Sequence, residues 1–391
     1  MGIQQRIKSI DLLRGLIMII MALDHVRDYF HADALLYRPN DLSKASAALF
    51  LTRWVTNFCA PVFLFLSGTS AFLVGQRKGK KALSIFLLTR GIWLIFLELV
   101  VSNFLLSFNI ELPVILFLVL WAFGASMIIL SALIHLPKTI ILILGLLLVF
   151  AHNLLDGISV PGNNLKSFGW SLLHAPGGFT FGPKMIIVGY PLLPWLGIMI
   201  LGYWFGNFYT KTYEASERKR ILIWIGSSAI VLFLILRFIN GYGDLLHWSK
   251  MPSTLLTIFS FVNTLKYPPS LLFILMTLGP AILFLAFTEN VNNKISQIIS
   301  VYGRVPLFYY LMHFLILHLL AMLAAQLTGF GWNAMILDQP VTDEPKLRGY
   351  GFSLGVTYLF WIAVVLILYP LCKRYDRYKQ SHKEKWWLSY L

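Results

Sequence analysis

RIKSIDLLRGLIMIIMALDHVRDYFH, Arg6–His31, is the first hydrophobic segment of the chain. A run of about twenty mostly apolar residues is typical of a membrane-spanning helix. This run also contains ionisable residues, and at about 100° per residue one helix face carries Asp11, Arg14, His25 and Asp28. An ionisable group facing lipid costs about 3 kcal/mol or more near the helix centre. The face is therefore predicted to line a bundle interior or a wet cavity.

The composition is that of a membrane protein. Hydrophobic residues make up 58% of the 391 residues and charged residues only 13%, and long apolar runs recur along the whole chain. We therefore predict an all-α, polytopic membrane bundle that forms one domain over residues 1–391. The ten predicted spans are 10–30, 54–75, 83–107, 112–135, 138–154, 185–208, 220–239, 269–288, 301–324 and 351–372.

Basic residues are distributed unevenly among the loops. The net charge of +15 comes from Lys and Arg residues, which cluster in short alternate loops such as 77–81 and 211–220 and in the tail from Lys373 to Lys385. This asymmetry orients membrane proteins, so we predict that both termini are cytoplasmic. It argues against nucleic-acid binding and favours contact of the basic rim with anionic membrane lipid. The loops on the other side are longer and offer material for an acceptor site.

Five phrases in the chain resemble a family of membrane acyltransferases. Arg14 and His25, with ten residues between them, resemble the first-helix signature of a superfamily that includes the acyltransferase-3 enzymes. The surrounding pattern, R-x-x-S-I-D-x-x-R-G-L and then L-D-H-V-R-D, is similar to bacterial relatives of heparan-alpha-glucosaminide N-acetyltransferase. The other matching phrases are NFCAPVFLFLSG (57–68), YPLLPWLG (190–197), KYPPSLLFILMTLGP (266–280) and GRVPLFYYLMHF (303–314).

The resemblance implies a function that the residues alone do not show. It implies transfer of an acyl group from acyl-CoA on the cytoplasmic side to an acceptor, such as a sugar or glycan, on the other side. It also implies a location in a cell membrane, the bacterial inner or plasma membrane. CoA would then be a co-substrate that carries the acyl group.

His25 is the preferred catalytic residue. A neutral imidazole can take a proton from an acceptor amine or hydroxyl, or attack a thioester to form an acyl-imidazole, and both routes stay open. Asp24 and Asp28 are near enough in sequence to orient the ring. We prefer Asp28, because it shares the helix face of His25. His31 is the alternative, since resemblance to the heparan enzyme implies a catalytic loop histidine, whereas resemblance to the acyltransferase-3 enzymes implies the helix histidine.

Three arginines are candidate ligands for the phosphates of an acyl-CoA, because a guanidinium binds such groups through two parallel hydrogen bonds. The resemblance places Arg14 near the CoA, and an ion pair with Asp11 is an equally good interpretation. Arg90 and Glu98 are eight residues apart, so both are expected to face one cavity. Either Arg90 binds phosphate or it pairs within the bundle, with Glu98 for example. Arg304 lies near the predicted cytoplasmic end of the ninth span.

The acceptor site has its own candidates. Asn57, at the mouth of the second span, is a candidate hydrogen-bonding residue. Lys266 and Tyr267 precede two prolines that mark the start of the eighth span, and they are assigned to an acceptor vestibule. Tyr309 and His313 lie near mid-membrane on the ninth span, where a lipid-facing histidine is disfavoured. His313 is expected either to hydrogen-bond to the first helix or to line the acyl tunnel.

No metal site is predicted, because the chain contains no HExxH and no CxxC pattern. His152 is interpreted as an end-of-span residue, and His174 is a loop residue to which no role is assigned.

The first hypothesis is a membrane acyltransferase, N- or O-specific, that moves an acyl group, in particular acetyl, from acetyl-CoA or another acyl-CoA to an extracytoplasmic amine or hydroxyl. The alternative is a proton-coupled transporter or exporter of a small anionic or lipid-linked substrate, in which Arg14 and Arg90 bind the substrate and His25 takes up protons. A homodimer is compatible with either hypothesis.

Overall fold

The computed structural model describes residues 7–390; Arg6, the first residue of the opening segment, lies outside them. Three strands form one small sheet: β1 Val114–Phe117, β2 Gly177–Phe181 and β3 Lys184–Val188. The α-helices are α1 Lys8–Phe30, α2 Ala47–Thr56, α3 Cys59–Lys78, α4 Lys80–Phe96, α5 Asn103–Ser107, α6 Val119–Leu133, α7 Lys138–Phe150, α8 Leu165–Leu173, α9 Leu192–Phe205, α10 Ala215–Ile239, α11 Thr254–Val262, α12 Leu271–Thr288, α13 Lys294–Arg304, α14 Pro306–Leu327 and α15 Leu354–Ser381.

The predicted helical class is confirmed, since 70% of the residues are helical and 5% are in strands. Among the described residues 7–390, six helical segments are long and apolar enough to cross a bilayer: Ala47–Lys78, Lys80–Ser107, Ala215–Ile239, Leu271–Thr288, Pro306–Leu327 and Leu354–Ser381. α1 has sufficient length but carries charged residues along it. α6 and α7 are apolar and shorter, with 15 and 13 residues. The number of ten spans stays a prediction.

Three of the predicted spans differ from the helices observed. The spans 112–135 and 185–208 were expected to be helical throughout, but they begin with β1 and β3, which pair in parallel, while β2 pairs with β3 in antiparallel orientation. A short apolar run has no periodicity that separates a strand from a buried helix. The span 301–324 consists of two helices, because α13 ends at Arg304 and Pro306 begins α14.

α1 is the central helix of the bundle, and it packs against α2, α3, α12, α13, α14 and α15. Glycines allow the closest of these approaches. A Cβ at Gly15 of α1 would lie 2.0 Å from the carbonyl oxygen of Ile299, and one at Gly303 of α13 would lie 2.0 Å from that of Asp11. Small residues of this kind let helix backbones meet in membrane bundles, so α1 and α13 are in backbone contact.

Glycines also allow the backbones of α3 and α9 to approach each other closely. A Cβ at Gly68 would lie 2.0 Å from the carbonyl oxygen of Met199, and one at Gly202 would lie 2.0 Å from that of Phe65. α4 and α6 approach each other through Gly91 and Gly124, where an added Cβ would meet the partner's carbonyl oxygen at 2.6 Å.

α1 and α3 run antiparallel, because Ser70 contacts Arg14 near the start of α1 and Thr56, just before α3, contacts Asp24 near its end. The charged end of α3 at Lys78 therefore lies on the same face of the bundle as Lys8. Lys383, beyond α15, lines a cavity together with Lys8. We name this side the Lys8 face and the other side, where α1 ends, the His31 face.

Candidate active site

The centre of the candidate site is a pair of histidines from two helices. Nδ1 of His25, on α1, lies 2.7 Å from Nε2 of His313, on α14. The ring of His25 also lies against Phe314, with 4.4 Å between the ring centroids. His313 is fully buried and stacks on Tyr309. Of the two roles expected for His313, a hydrogen bond to the first helix is thus observed.

Two cavities meet at His25. The outer cavity, of about 350 Å³, extends toward the His31 face and is lined by Asp28, Asn103 and the loop 337–343 among others. The inner cavity, of about 110 Å³, extends toward the Lys8 face, with Met18, Ser67 and Arg90 on its walls. The residues that line both cavities are Asp24, His25, Val119, Tyr190 and Tyr310. His25 is therefore accessible from both directions.

Asp24 holds a cluster of cations next to His25. Its carboxylate lies 2.7 Å from a guanidinium nitrogen of Arg27, 3.5 Å from one of Arg53 and 3.8 Å from Nζ of Lys266. It also accepts a hydrogen bond of 2.7 Å from the hydroxyl of Thr56. Three cations around one carboxylate leave a positive balance at the junction of the cavities.

Asp28 was preferred as the partner of the His25 ring, and the geometry differs from that expectation. The Asp28 carboxylate accepts two hydrogen bonds from Arg27, at 2.7 and 3.2 Å, whereas the ring nitrogen Nδ1 of His25 contacts His313. The local helix periodicity placed Asp28 on the correct face, and Asp28 does line the outer cavity. The local periodicity could not reveal that His313 of α14, 288 residues away in sequence, contacts the His25 ring.

A third cavity, the basic cavity of about 520 Å³, lies beside the outer one. It contains three of the predicted acceptor-site residues, namely Asn57, Lys266 and Tyr267. Tyr267 also lines the outer cavity, and its hydroxyl lies 3.3 Å from that of Tyr190. Lys266 also lines the inner cavity. The sequence-based grouping of these residues thus corresponds to one connected region.

The candidate phosphate ligands are divided among three places. Arg90 lines the inner cavity. Arg14 donates hydrogen bonds to Ser70 at 2.7 Å and to the carbonyl oxygen of Gly303 at 3.1 Å, and it lies 3.4 Å from Asp11. The expected ion pair with Asp11 is therefore present. Arg304 donates a hydrogen bond of 2.7 Å to Asp376 and lines the cavity of about 600 Å³ at the Lys8 face.

Glu98 was expected to face the same cavity as Arg90, but it does not line the inner cavity that contains Arg90. It is fully buried, and its carboxylate accepts hydrogen bonds from the backbone nitrogens of Leu120 and Trp121, at 2.6 and 3.2 Å. These amides begin α6, and a carboxylate is favourable at a helix N-terminus. The π-helical segment Leu97–Ser102 follows α4; it changes the helical register on which the expectation rested.

Two other predicted residues, His31 and Tyr309, lie away from the junction, and so does His318 of α14. Nδ1 of His31 lies 3.0 Å from the carbonyl oxygen of Phe352, and His31 is not among the residues that line the three cavities around His25. Tyr309 was assigned to the substrate, yet it is fully buried behind His313, and its neighbour Tyr310 lines both cavities instead. His318 contacts the carbonyl oxygens of Leu105 and Met335.

Sequence reasoning missed several residues at the junction. Arg53 pairs with Asp24 from α2, and Tyr190 lines both cavities from the segment between β3 and α9. Tyr190 begins the phrase YPLLPWLG, which is one of the phrases that carry the family resemblance. That phrase was the available signal for Tyr190, whereas Arg53 had none beyond its charge at the start of a predicted span.

A helical bundle with apolar, membrane-length helices and a histidine between two internal cavities is typical of an integral membrane protein with a site inside the bundle. The sequence matches the family described as heparan-alpha-glucosaminide N-acetyltransferase, catalytic, over residues 6–238, and the chain belongs to that family. The matched range contains His25, Arg90 and Tyr190. Membership implies acetyltransferase activity, and the resemblance noted in the sequence is confirmed. No curated protein matches the chain.

Proposed function

We propose that the protein transfers an acetyl group from acetyl-CoA, bound from the Lys8 face, to an amine or hydroxyl of a sugar or glycan bound from the His31 face. The observation that carries this proposal is the position of His25 at the junction of two cavities that extend toward the two faces. A donor and an acceptor can then approach one imidazole from two sides. Neither molecule has to cross the bilayer.

The shapes of the cavities support these assignments. The inner cavity is narrow and mostly apolar, which suits the thioester arm of acetyl-CoA, and it is too small for the nucleotide part. Arg90 on its wall and Arg14 nearby on α1 supply positive charge on the Lys8 side of His25. The basic cavity at the His31 face has the volume of a typical small-ligand site and several polar side chains, as a sugar requires.

The chemistry follows from the imidazole pair. For Nε2 of His25 to accept a proton, its Nδ1 must carry a hydrogen and donate it to Nε2 of His313. The acceptor nitrogen or oxygen then bonds to the thioester carbonyl carbon, its proton passes to His25, and the carbon–sulfur bond breaks with release of CoA, which takes up that proton. Lys266, which lines the inner cavity, supplies positive charge for the oxyanion that develops on the carbonyl.

The test is release of CoA by protein purified in detergent and mixed with acetyl-CoA and a panel of amino sugars. His25→Ala is expected to lower turnover by about 10²- to 10⁴-fold, which is the usual contribution of a general base. His31→Ala is the matched control, because His31 is buried but lies outside the cavities. It is expected to retain most of the activity.

Three results would contradict the proposal. Unchanged turnover in a correctly inserted His25→Ala variant removes His25 from the mechanism. Loss of turnover in His31→Ala with normal turnover in His25→Ala transfers the role to the loop histidine. Absence of CoA release by the wild-type protein, combined with uptake of an anionic substrate into vesicles, favours the proton-coupled transporter instead.

A further inference from the structure

Three potential metal ligands meet outside the site described above. His152 lies in a single 3₁₀ turn, His152–Leu155, which follows α7, and Asp156 comes directly after this turn. His174 follows the last residue of α8. The loop between α7 and α8 thereby returns to its own starting point and brings the three side chains together.

The distances fit a metal site. One ligand atom from each of the three residues lies within 4.8 Å of the others, and Nε2 of His174 is 3.0 Å from Oδ1 of Asp156. Ligands of tetrahedral zinc, at about 2.0–2.2 Å from the ion, lie roughly 3.3 Å apart. Two of the atoms thus already have about the required separation, and the ligand atom of His152 lies within 4.8 Å of both.

The histidines lack the hydrogen bonds that buried imidazoles normally make. His152 and His174 are 3% and 2% exposed. Within residues 7–390, neither ring nitrogen of His152 has a hydrogen-bond partner, and neither does Nδ1 of His174. A buried polar group without a partner costs about 1–3 kcal/mol. Both rings therefore have nitrogen atoms left to bind a cation.

A second layer of contacts supports the ligand positions. The side chain of Asn153 donates a hydrogen bond of 2.7 Å to Oδ2 of Asp156 and accepts one of 2.9 Å from the backbone nitrogen of Leu271. Such outer contacts orient ligating carboxylates in metal sites. They also connect the three-residue cluster to the first residue of α12.

We propose that His152, Asp156 and His174 bind one divalent transition-metal ion, for which Zn²⁺ is the best chemical match. Two imidazoles and one carboxylate are ligands that zinc favours. The ion would fix the end of α7 to the end of α8. His174 is followed by Pro176 and Gly177, which line the basic cavity, so the metal would also hold one wall of that cavity in place.

The experiment uses full-length protein with a tag that contains no histidine. The protein is stripped with a chelator, loaded with zinc, passed through gel filtration and measured for metal content and melting temperature. The wild type is expected to retain about one zinc per chain and to melt several degrees higher with zinc than without. His152→Gln and His174→Gln are expected to bind zinc at least tenfold more weakly.

His247→Ala is the matched control, because His247 is an exposed loop histidine, and it is expected to bind zinc like the wild type. If the glutamine variants do not fold, Asp156→Asn, which preserves shape and removes charge, takes their place. Zinc retention by the wild type no greater than that by a folded ligand variant overturns the proposal. So does a melting temperature that zinc leaves unchanged.

Discussion

At the residue scale, the contact between His25 and His313 determines what His25 can do. Two neutral imidazoles 2.7 Å apart share one hydrogen, so the tautomer of one ring fixes that of the other. His313 is fully buried, and it does not line the outer, inner or basic cavity. We therefore propose that His313 positions His25.

Replacement of His313 tests this role. His313→Phe removes the acceptor for the Nδ1 hydrogen of His25 and is expected to lower kcat by about 10- to 100-fold, with a smaller effect on KM. His313→Gln keeps an oxygen acceptor near the position of Nε2 and is expected to recover part of kcat. Steady-state kinetics and the pH dependence of kcat/KM for the three proteins measure the effect.

A purely structural role for His313 gives a different pattern. Both variants would then lose activity in proportion to their loss of folded protein. The acidic limb of the pH profile of kcat/KM would lie at the same pH as in the wild type. Equal kcat values for the Phe and Gln variants in folded protein would contradict the positioning role. The melting temperature of each variant distinguishes the two cases.

Some of these residue positions could be predicted and some could not. Helix periodicity placed Asp11, Arg14, His25 and Asp28 on one face, and the ion-pair partners of Arg14 and Asp28 were within reach along the helix. The partner of His25 comes from a helix 288 residues away, which no local pattern can indicate. Which of Tyr309 and Tyr310 lines the cavities depends on the rotation of α14 about its axis, because the side chains of neighbouring residues on a helix point in directions about 100° apart.

At the scale of elements, the sheet is the feature that the sequence did not predict. β1 has four residues, all of them apolar, and β3 has five, of which all but Lys184 are apolar; each strand is close in sequence to an apolar helix. The hydrophobic signal was therefore continuous, and only Pro113, Gly182 and Pro191 marked the changes of structure. Residues of β1 and β3 line the outer cavity, which is where non-helical backbone is tolerated at membrane depth.

The glycine contacts between helices make a direct prediction about stability. Gly202→Val would place a side chain against the carbonyl oxygen of Phe65, which an added Cβ would meet at 2.0 Å. We expect a loss of about 3 kcal/mol or more in unfolding free energy, because α3 and α9 must separate. The melting temperature of the purified protein measures it.

Gly169→Ala is the control for this substitution. Gly169 lies in α8, and an added Cβ would meet no atom within 4 Å. Alanine there is expected to be neutral or stabilising by up to about 1 kcal/mol, since alanine favours a helix more than glycine does. A melting temperature of Gly202→Val equal to that of the control would contradict the packing argument.

At the scale of the whole molecule, the arrangement of chain ends supports the orientation inferred from charge. Lys8 and Lys383 line one cavity, and the antiparallel α1 and α3 bring Lys78 to the same face. The membrane class and the order of the helices followed from composition and apolar runs. The side of the membrane that each face meets is a proposal that rests on the distribution of basic residues.

Labelling of single introduced cysteines tests the orientation. Lys81→Cys lies at the start of α4 near the Lys8 face, and Lys166→Cys lies at the start of α8 in a long loop; both positions are exposed. In intact cells, a membrane-impermeant maleimide is expected to label Lys166→Cys and not Lys81→Cys. The native Cys59 and Cys372 are buried and are expected to give little background.

The reverse pattern of labelling would invert the proposed topology. Labelling of Lys81→Cys only after permeabilisation completes the control, since it shows that the introduced thiol is reactive. Equal labelling of both variants in intact cells would mean that these two loops lie on one side, which contradicts the assignment of Lys81 and Lys166 to opposite sides of the membrane.

The backbone contacts at the glycines restrict how the bundle can open. α1 contacts α13, α3 contacts α9 and α4 contacts α6 at glycines, where no side chain separates the two helix backbones. Each pair of helices is therefore expected to move as one rigid unit. Each of the three units contributes a helix to the wall of the inner cavity, to which α14 also contributes residues. If the inner cavity widens to admit a bulky thioester, we expect the helix pairs to move apart from one another. We do not expect sliding within a pair, because it would bring side chains into collision with the backbone of the other helix.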